Sequence, residues 1–257
     1  MKVMHYNIMD GCPDKDRRSR LKSWIQEQKC DVISFNELNG WDQETFQNEM
    51  KALGLDYSIL FEMTTSPYFV GIASKYPITV IEQIEKDPIY HGLLHVEIKG
   101  IRFVVAHLTP FESKKRERET AFIADVIQHI DGPAVVMGDL NTLSPLDRVQ
   151  YEKNNVIKYL KENNILNRQH LLEGEINYKP MELLLGAGLR DTRTSKEFQH
   201  TFPTPYIEMQ QNGAQLRIDY LLANNAMYEK LIDFDIVQTK TTRTLSDHYP
   251  IQSVWNI

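Results

Sequence analysis

Cysteine is scarce in this chain: Cys12 and Cys30 are the only two. With no CxxC spacing and no tight Cys/His cluster, a zinc site is not expected. Free thiols in a reducing compartment fit better than a single disulfide. A long hydrophobic run is also missing, and nothing approaches the roughly 20 apolar residues of a membrane span. The first residues, "MKVMHYNIM", have neither the apolar core nor the small-residue cleavage site of a signal peptide. A cytoplasmic location is therefore expected. Positive charge is in deficit as well: 29 Lys and Arg against 35 Asp and Glu leave a net charge of -6. Such a surface withholds the general basic field that draws polyanions non-specifically. There is no internal repeat and no low-complexity linker, so residues 1–257 are expected to form a single domain.

What is present is ordinary for a globular protein, with 42% hydrophobic and 25% charged residues. A chain of 257 residues can bury a large core without disulfide staples. The first half alternates short apolar runs with amphipathic stretches. "KVMHYNI" reads as a strand and "RRSRLKSWIQEQK" as a helix whose face is Leu21, Trp24 and Ile25. "DVISFNE" is a buried strand and "DQETFQNEMKAL" a second helix. Strands follow in "YSILFE", "FVGIASK", "ITVIEQI", "LLHVEI" and "IRFVVAH", punctuated by Pro77 and the Lys99-Gly100 pair. The spacing predicts a long helix over 113–130, its charge run "ESKKRERE" forming solvated first turns. After "AVVMGDLN" the pattern is mostly helical to about Leu189, and "LRIDYLLA", "LIDFDIVQ" and "YPIQSVW" close the chain as strands. Strands clustered in each half, with helices between and around them, imply an α/β fold of two packed sheets covered outside by helices.

The polar residues at strand ends carry the chemistry. In "VVMGDLN" a hydrophobic run ends in Asp139 and Asn141, which in an extended chain emerge on one side; an Asx-type turn is the plainer explanation. "HYNIMDG" offers Asn7 with His5 on the same side, and "VISFNE" ends in Glu37. "FVVAHLTP" puts His107 where a buried strand meets a loop closed by Pro110. "LRIDYLL" sets Asp219 in an apolar strand, where an unpaired charge is costly. "LSDHYPI" places Asp247 and His248 ahead of the last strand. Each has a structural explanation of its own, as turn former, capping acid, core histidine or ion pair. Together they suit hydrolysis of a phosphate ester assisted by a hard divalent metal, for which oxygen ligands and an oriented Asp-His pair suffice.

These motifs, in this order from Asn7 to His248, resemble the endonuclease/exonuclease/phosphatase superfamily, the fold of pancreatic-type DNase, exonuclease III-like repair enzymes, neutral sphingomyelinases and inositol-polyphosphate phosphatases. "GIASKYPI" and "HTFPTP" look like family pieces flanking the cleft. The resemblance implies a four-layer α/β/β/α sandwich of two mixed sheets flanked by helices. It implies Glu37 as the main Mg2+ ligand (Mn2+ also suits), with Asn7 as ligand or orienting amide and Asp247 completing the network. Asp139 would position or deprotonate water, Asn141 would steady the phosphoryl oxygens, and His107 would donate to a phosphate oxygen. His248 would contact the scissile phosphate, with Asp219 behind it.

Two departures stand out. The family usually carries Gln before the metal-binding Glu, where this chain has Asn36, a shorter amide that alters the local support of Glu37. The insert from Leu143 to Leu189 matches no substrate-specific subgroup. Repair endonucleases of this fold tend to place Tyr at the His107 position, while the DNase, sphingomyelinase and phosphatase branches place His. With the acidic balance, this favours a small phosphodiester, phosphomonoester or lipid head group as substrate. A nuclease on the same centre is the runner-up, and a binding module that kept the scaffold but lost catalysis is the alternative of another class. A monomer is expected.

Overall fold

In a computed structural model of the chain, which describes residues 1–162, 170–195, 197–206 and 214–257, period-two alternation builds both sheets. Strand β1 (Lys2–Asn7) sends Met4 and Tyr6 to a helix-covered face, and Val3, His5 and Asn7 to the opposite, inner face. Strand β2 (Val32–Asn36) does the same, with Ile33 and Phe35 outward and Val32, Ser34 and Asn36 inward. The two pair in parallel with Asn7 opposite Asn36. They are joined by β3 (Tyr57–Phe61), β4 (Val70–Ser74), β13 (Leu231–Ile236) and β14 (Ile251–Trp255). The resulting six-stranded sheet has the order β13-β14-β1-β2-β4-β3.

The second sheet repeats the logic. Its strands are β5 (Thr79–Ile84), β6 (Leu93–Ile98), β7 (Ile101–Ala106), β8 (Ala134–Asp139), β11 (Leu189–Asp191) and β12 (Asp219–Asn224). Their order is β11-β12-β8-β7-β6-β5, mixed because β7 and β8 run parallel. On β8, Val135 and Met137 join the core between the sheets while Val136 faces a helix, and on β12 Leu221 and Ala223 face inward. The inner rows of β1, β2, β8 and β12 are therefore apolar toward one end and polar at the other. The apolar part, with Phe103, Ile72 and Ile251, holds the sheets together. Each fully buried side chain of that kind contributes about 1.5–3 kcal/mol.

Helices α1 (Lys15–Gln28) and α2 (Gln43–Ala52) cover the first sheet, through Leu21, Trp24, Ile25, Phe46 and Met50. Both begin at an aspartate that caps a backbone N–H three residues on, Asp14 for Arg17 and Asp42 for Thr45, each at 2.7 Å. Helices α3 (Ser113–Gln128) and α6 (Lys179–Gly186) cover the second sheet through Ile123, Ile127, Met181 and Leu184. The sandwich of helices, two mixed sheets and helices is the architecture expected from the sequence. No helix among the described residues is long and apolar enough to cross a membrane.

Three local points refine the reading of the sequence. The stretch before Leu189 is mostly helical among its described residues, as expected, but α4 (Arg148–Lys153), α5 (Val156–Glu162) and α6 are interrupted by a hairpin, β9 (Leu171–Leu172) with β10 (Glu175–Ile176). Its portion over 163–169 lies outside the described residues. The segment closes on its own cluster of Tyr151, Val156, Leu160, Leu216 and Ile218. Second, the strand read as "LRIDYLLA" starts three residues late: β12 begins at Asp219, and of Leu216 to Ile218 only Leu216 makes a bridge, to Phe202. Third, the charge run 112–119 is not wholly solvated. Arg116 is buried, its guanidinium donating to the carbonyls of Thr109 (2.8 Å) and Pro110 (3.1 Å). Glu119 is buried too and accepts from the Thr109 amide at 2.9 Å and the Tyr90 amide at 3.2 Å. The helix uses these charges to staple the loop after His107.

Candidate active site

The polar ends of the inner rows meet at one edge of the sandwich. Asn7 closes β1, Glu37 follows β2, Asp139 closes β8, His107 follows β7, and Asp219 opens the antiparallel β12. Glu37 has φ 61, a strained value for a residue with a side chain. Its surroundings over-determine it: its carbonyl accepts the Gly11 amide at 2.6 Å, and Oε2 accepts the Asp10 amide at 2.9 Å. Asn7 stands between the two acids, its Nδ2 donating to Glu37 Oε1 at 3.1 Å and to Asp139 Oδ2 at 3.2 Å. Gly138 is what allows β8 to lie here, since a Cβ would come within 1.8 Å of the Ala106 carbonyl oxygen.

Asp139 and Asp219 are direct cross-strand partners. Opposed like charges destabilise a sheet, and an imidazole is interposed. His248 Nδ1 lies 2.8 Å from Asp219 Oδ2, while its Nε2 lies 3.7 Å from Asp139 Oδ2. Burial works against the charged ring, but Asp219, Asp139 and Asp247 outweigh it and hold His248 well above the usual histidine range. Burial also opposes ionisation of Asp219, yet His248 and His5 win and keep its carboxyl low. Asp139 goes the other way, pushed up to about 8 by burial against the pull of His248, with Asp219 and Glu37 adding to the rise. Glu37 is raised by burial and then by the charge of Asp247.

The remaining residues frame this centre. Asp247 is half-buried and its Oδ1 accepts the Ser246 hydroxyl at 3.1 Å. His107 Nε2 sits 3.7 Å from Asp139 Oδ2, and burial drives its ring well below the usual range. Asn141 does not continue an extended chain: at φ 46 it turns back, its amide N–H reaching Asp139 Oδ1 at 3.0 Å and its Nδ2 the Leu108 carbonyl at 3.0 Å. The Asx turn and the shared site are thus both present. Asn36, the departure before Glu37, supports Asp139: its Oδ1 accepts the Asp139 amide at 2.7 Å across the two sheets.

A cavity of about 170 Å³ opens over the centre. Glu37, His107, Asp139, Asn141 and His248 line it, with Tyr68, Phe111, Phe202, His91 and His170 around them. No lysine or arginine lines it among the described residues. Sequence reasoning missed His91 and His170, which stand at no strand end that alternation would flag. Asp139, Asp219 and His248 offer ligand atoms all within 4.8 Å of one another. With the His248 ring hydrogen-bonded to Asp219, the oxygen-rich side around Glu37, Asn7 and Asp247 is the better fit for a hard cation. The crowding that raises Glu37 and Asp139 is what a divalent ion would relieve, and no thiolate belongs to the set.

The sequence profile of the Endonuclease/Exonuclease/phosphatase family matches residues 4–248. The chain belongs to that family. It is accordingly a hydrolase of phosphate ester bonds. Similar solved structures include an AP endonuclease from Archaeoglobus fulgidus, at TM-score 0.75 and 18% identity over 100% of both chains. They also include a variant of the 3' phosphatase NExo from Neisseria bound to product DNA hairpin, at 0.72 and 19%, again over 100% of both chains. The 3'-5' exonuclease NExo from Neisseria meningitidis follows at 0.71 and 19%, with 100% of both chains covered. No curated protein matches the chain in sequence. At these identities the likeness speaks for the fold.

Proposed function

We propose that the chain, acting as one domain, is a Mg2+-dependent phosphoesterase that hydrolyses a phosphodiester or phosphomonoester of a small molecule or a lipid head group. The observation that carries this reading is the pocket: a small cavity over the acidic centre, rimmed by Tyr68, Phe111 and Phe202 and free of lysine and arginine among the described residues. An enzyme that tracks a nucleic-acid backbone gains affinity by neutralising several phosphates. This pocket suits a single phosphate with an apolar or aromatic neighbour.

Glu37, Asn7 and Asp247 are the residues that would hold the cation, Asn7 mainly as an orienting amide because its NH2 faces both carboxylates. When bound, a divalent ion polarises the phosphoryl group and offsets its charge. Asp139 receives the proton of the attacking water, burial having raised the proton affinity of its carboxylate. His248, kept charged by Asp219, faces the charge that grows on the phosphoryl oxygens, and Asn141 and His107 steady the same group.

A second reading, cleavage of DNA or RNA at the same centre, draws on the DNA-directed enzymes that share the fold. A panel with Mg2+ separates the two: duplex, single-stranded and abasic DNA, RNA, sphingomyelin, inositol phosphates, nucleotides and aryl phosphodiesters, at low and moderate salt. We expect the highest kcat/KM on a small ester with a flat salt response, lost on EDTA treatment and in Glu37→Ala. DNA cleavage with the highest kcat/KM and a steep salt slope would reverse the ranking. Mg2+ binding without turnover of any substrate would favour a binding module instead.

A further inference from the structure

Two histidines of the pocket, His91 and His170, have no part in the roles above, and the first has the better-defined surroundings. His91 is buried beside His107, the rings stacked at 4.8 Å between centroids and 23° between planes. Tyr68 and Tyr90 meet its edges at 5.1 and 4.5 Å. The backbone on either side is fixed. The Tyr90 amide is held by Glu119 Oε1 at 3.2 Å. Gly92 has φ +78, and a Cβ there would lie 2.0 Å from Met63 Sδ, so only glycine brings the chain past this point.

The two ring nitrogens are in different states. Nδ1 lies 2.6 Å from the Ser66 hydroxyl. Ser66 Oγ accepts the Tyr68 amide at 3.2 Å, and Nδ1 is the one acceptor within reach of its own hydrogen among the described residues. Nδ1 is then the acceptor and the ring hydrogen resides on Nε2. That Nε2 is buried and has no hydrogen-bond partner among the described residues. An unmatched buried donor is destabilising, and His91 lines the cavity over the acidic centre, where a bound phosphate can supply the missing acceptor. Burial pushes the ring down to about 4, so it stays neutral near pH 7 and adds no charge beside His248.

We propose that His91 contacts substrate, its Nε2–H donating to an oxygen of the bound phosphate beside His107, and that Ser66 is the positioning residue that fixes this tautomer. The inference rests on reading the cavity as the phosphoester site. It concerns a hydrogen bond only, with no proton transferred. A neutral donor held at a fixed position acts on charge that develops in the transition state, as an oxyanion-hole amide does.

The test uses the full chain with Mg2+ and bis(p-nitrophenyl) phosphate, following kcat, KM and thermal melting. His91→Phe keeps the stack on His107 and removes the donor, and kcat/KM should fall about 10- to 100-fold with the melting temperature nearly unchanged. His91→Gln can place an amide N–H near the Nε2 position and should return to within about fivefold of the parent. Ser66→Ala should lose about three- to tenfold, while Ser66→Thr, which retains the hydroxyl, stays near the parent. If His91→Phe does not fold, His91→Asn against His91→Gln makes the same comparison, because Asn sets its amide at the Nδ1 level. His91→Phe within about threefold of the parent, or Gln (in the fallback, Asn) no different from the partner variant, overturns the proposal. A parent inactive on every phosphoester refutes the phosphoester reading itself; an active parent with an indifferent His91→Phe refutes this inference alone.

Discussion

Two buried charge clusters lie almost side by side, and they are built to opposite ends. One is Arg217 and Arg193 with Asp147 and Asp191. Arg217 reaches Asp147 Oδ2 at 2.8 Å and Asp191 Oδ2 at 2.6 Å, and Arg193 reaches Asp147 Oδ1 at 2.8 Å. The other begins only two residues later, at Asp219, and runs through His248 and Asp139 to Asn7 and Glu37. Burial is severe in both. In the first, guanidinium charges match carboxylate charges, and the cluster ties the turn after Ser144 to β11 and to the approach of β12. In the second, Glu37, Asp139, Asp219 and Asp247 face a single raised imidazole. Similar burial with unequal compensation separates a fastening from the proposed reaction centre, where mismatched charge is stability forgone in favour of chemistry.

The contrast can be broken first at the reaction centre, where the largest effects are expected. His248→Ala and Asp139→Asn should each lower kcat by about 10² to 10⁴ with the fold retained; the melting temperature should fall for His248→Ala, which strips the imidazole from the acidic cluster, and hold or rise for Asp139→Asn. Asp219→Ala should cost less, since it acts through His248. Steady-state kinetics and melting curves on the same preparations check this; near-parent kcat in His248→Ala would mean that another group faces the phosphate. The next effect belongs to the fastening. Arg217→Ala leaves Asp147 and Asp191 buried without their main cation and should remove about 3–5 kcal/mol of stability, measured by urea unfolding. A loss under about 1 kcal/mol would erase the distinction between the clusters.

The gentlest test is pH. His248 is held above its usual 6.5, so its stabilisation is complete below that value and is lost as pH rises through the elevated one. Asp139, raised from 3.8 to about 8, costs the folded state progressively more as pH rises between those two values and nothing further above about 8. Metal-free protein should therefore melt at progressively lower temperature as pH rises from about 4 into the alkaline range, and Asp139→Asn should flatten the part of the slope below about pH 8. Arginines do not titrate there, so Arg217 should contribute nothing to it. A parent slope equal to that of Asp139→Asn would contradict the assignment.

Alternation in "KVMHYN", "VISFN" and "AVVMGD" is a local property, so the inner rows and their polar ends are readable from the chain alone. The gathering of Asn7, Glu37, Asp139 and Asp219 follows from strands whose hydrophobic halves must face each other. What escapes is set by contacts distant in sequence. Arg116 looks solvated in a charge run because its acceptors, the Thr109 and Pro110 carbonyls, come within reach only once the loop folds back. His91 owes its place to Ser66 and Glu119, on other segments. The register of "LRIDYLL" fails at Leu216 to Ile218 because those apolar residues pack on the insert rather than pair in the sheet.

Asn36 has a consequence for engineering. Its side chain, on one sheet, receives the Asp139 amide of the other at 2.7 Å, so the spacing of the layers is gauged at the very residue proposed to handle water. Turnover should then act as a caliper for the interior: a cavity cut at Val32 or Met137, far from any substrate, would register as lost rate before it registered as lost fold. Exchanging Asn36 for the longer Gln would insert a shim of one methylene between the layers, and directed evolution on this scaffold would do well to leave that thickness alone while it varies the loops.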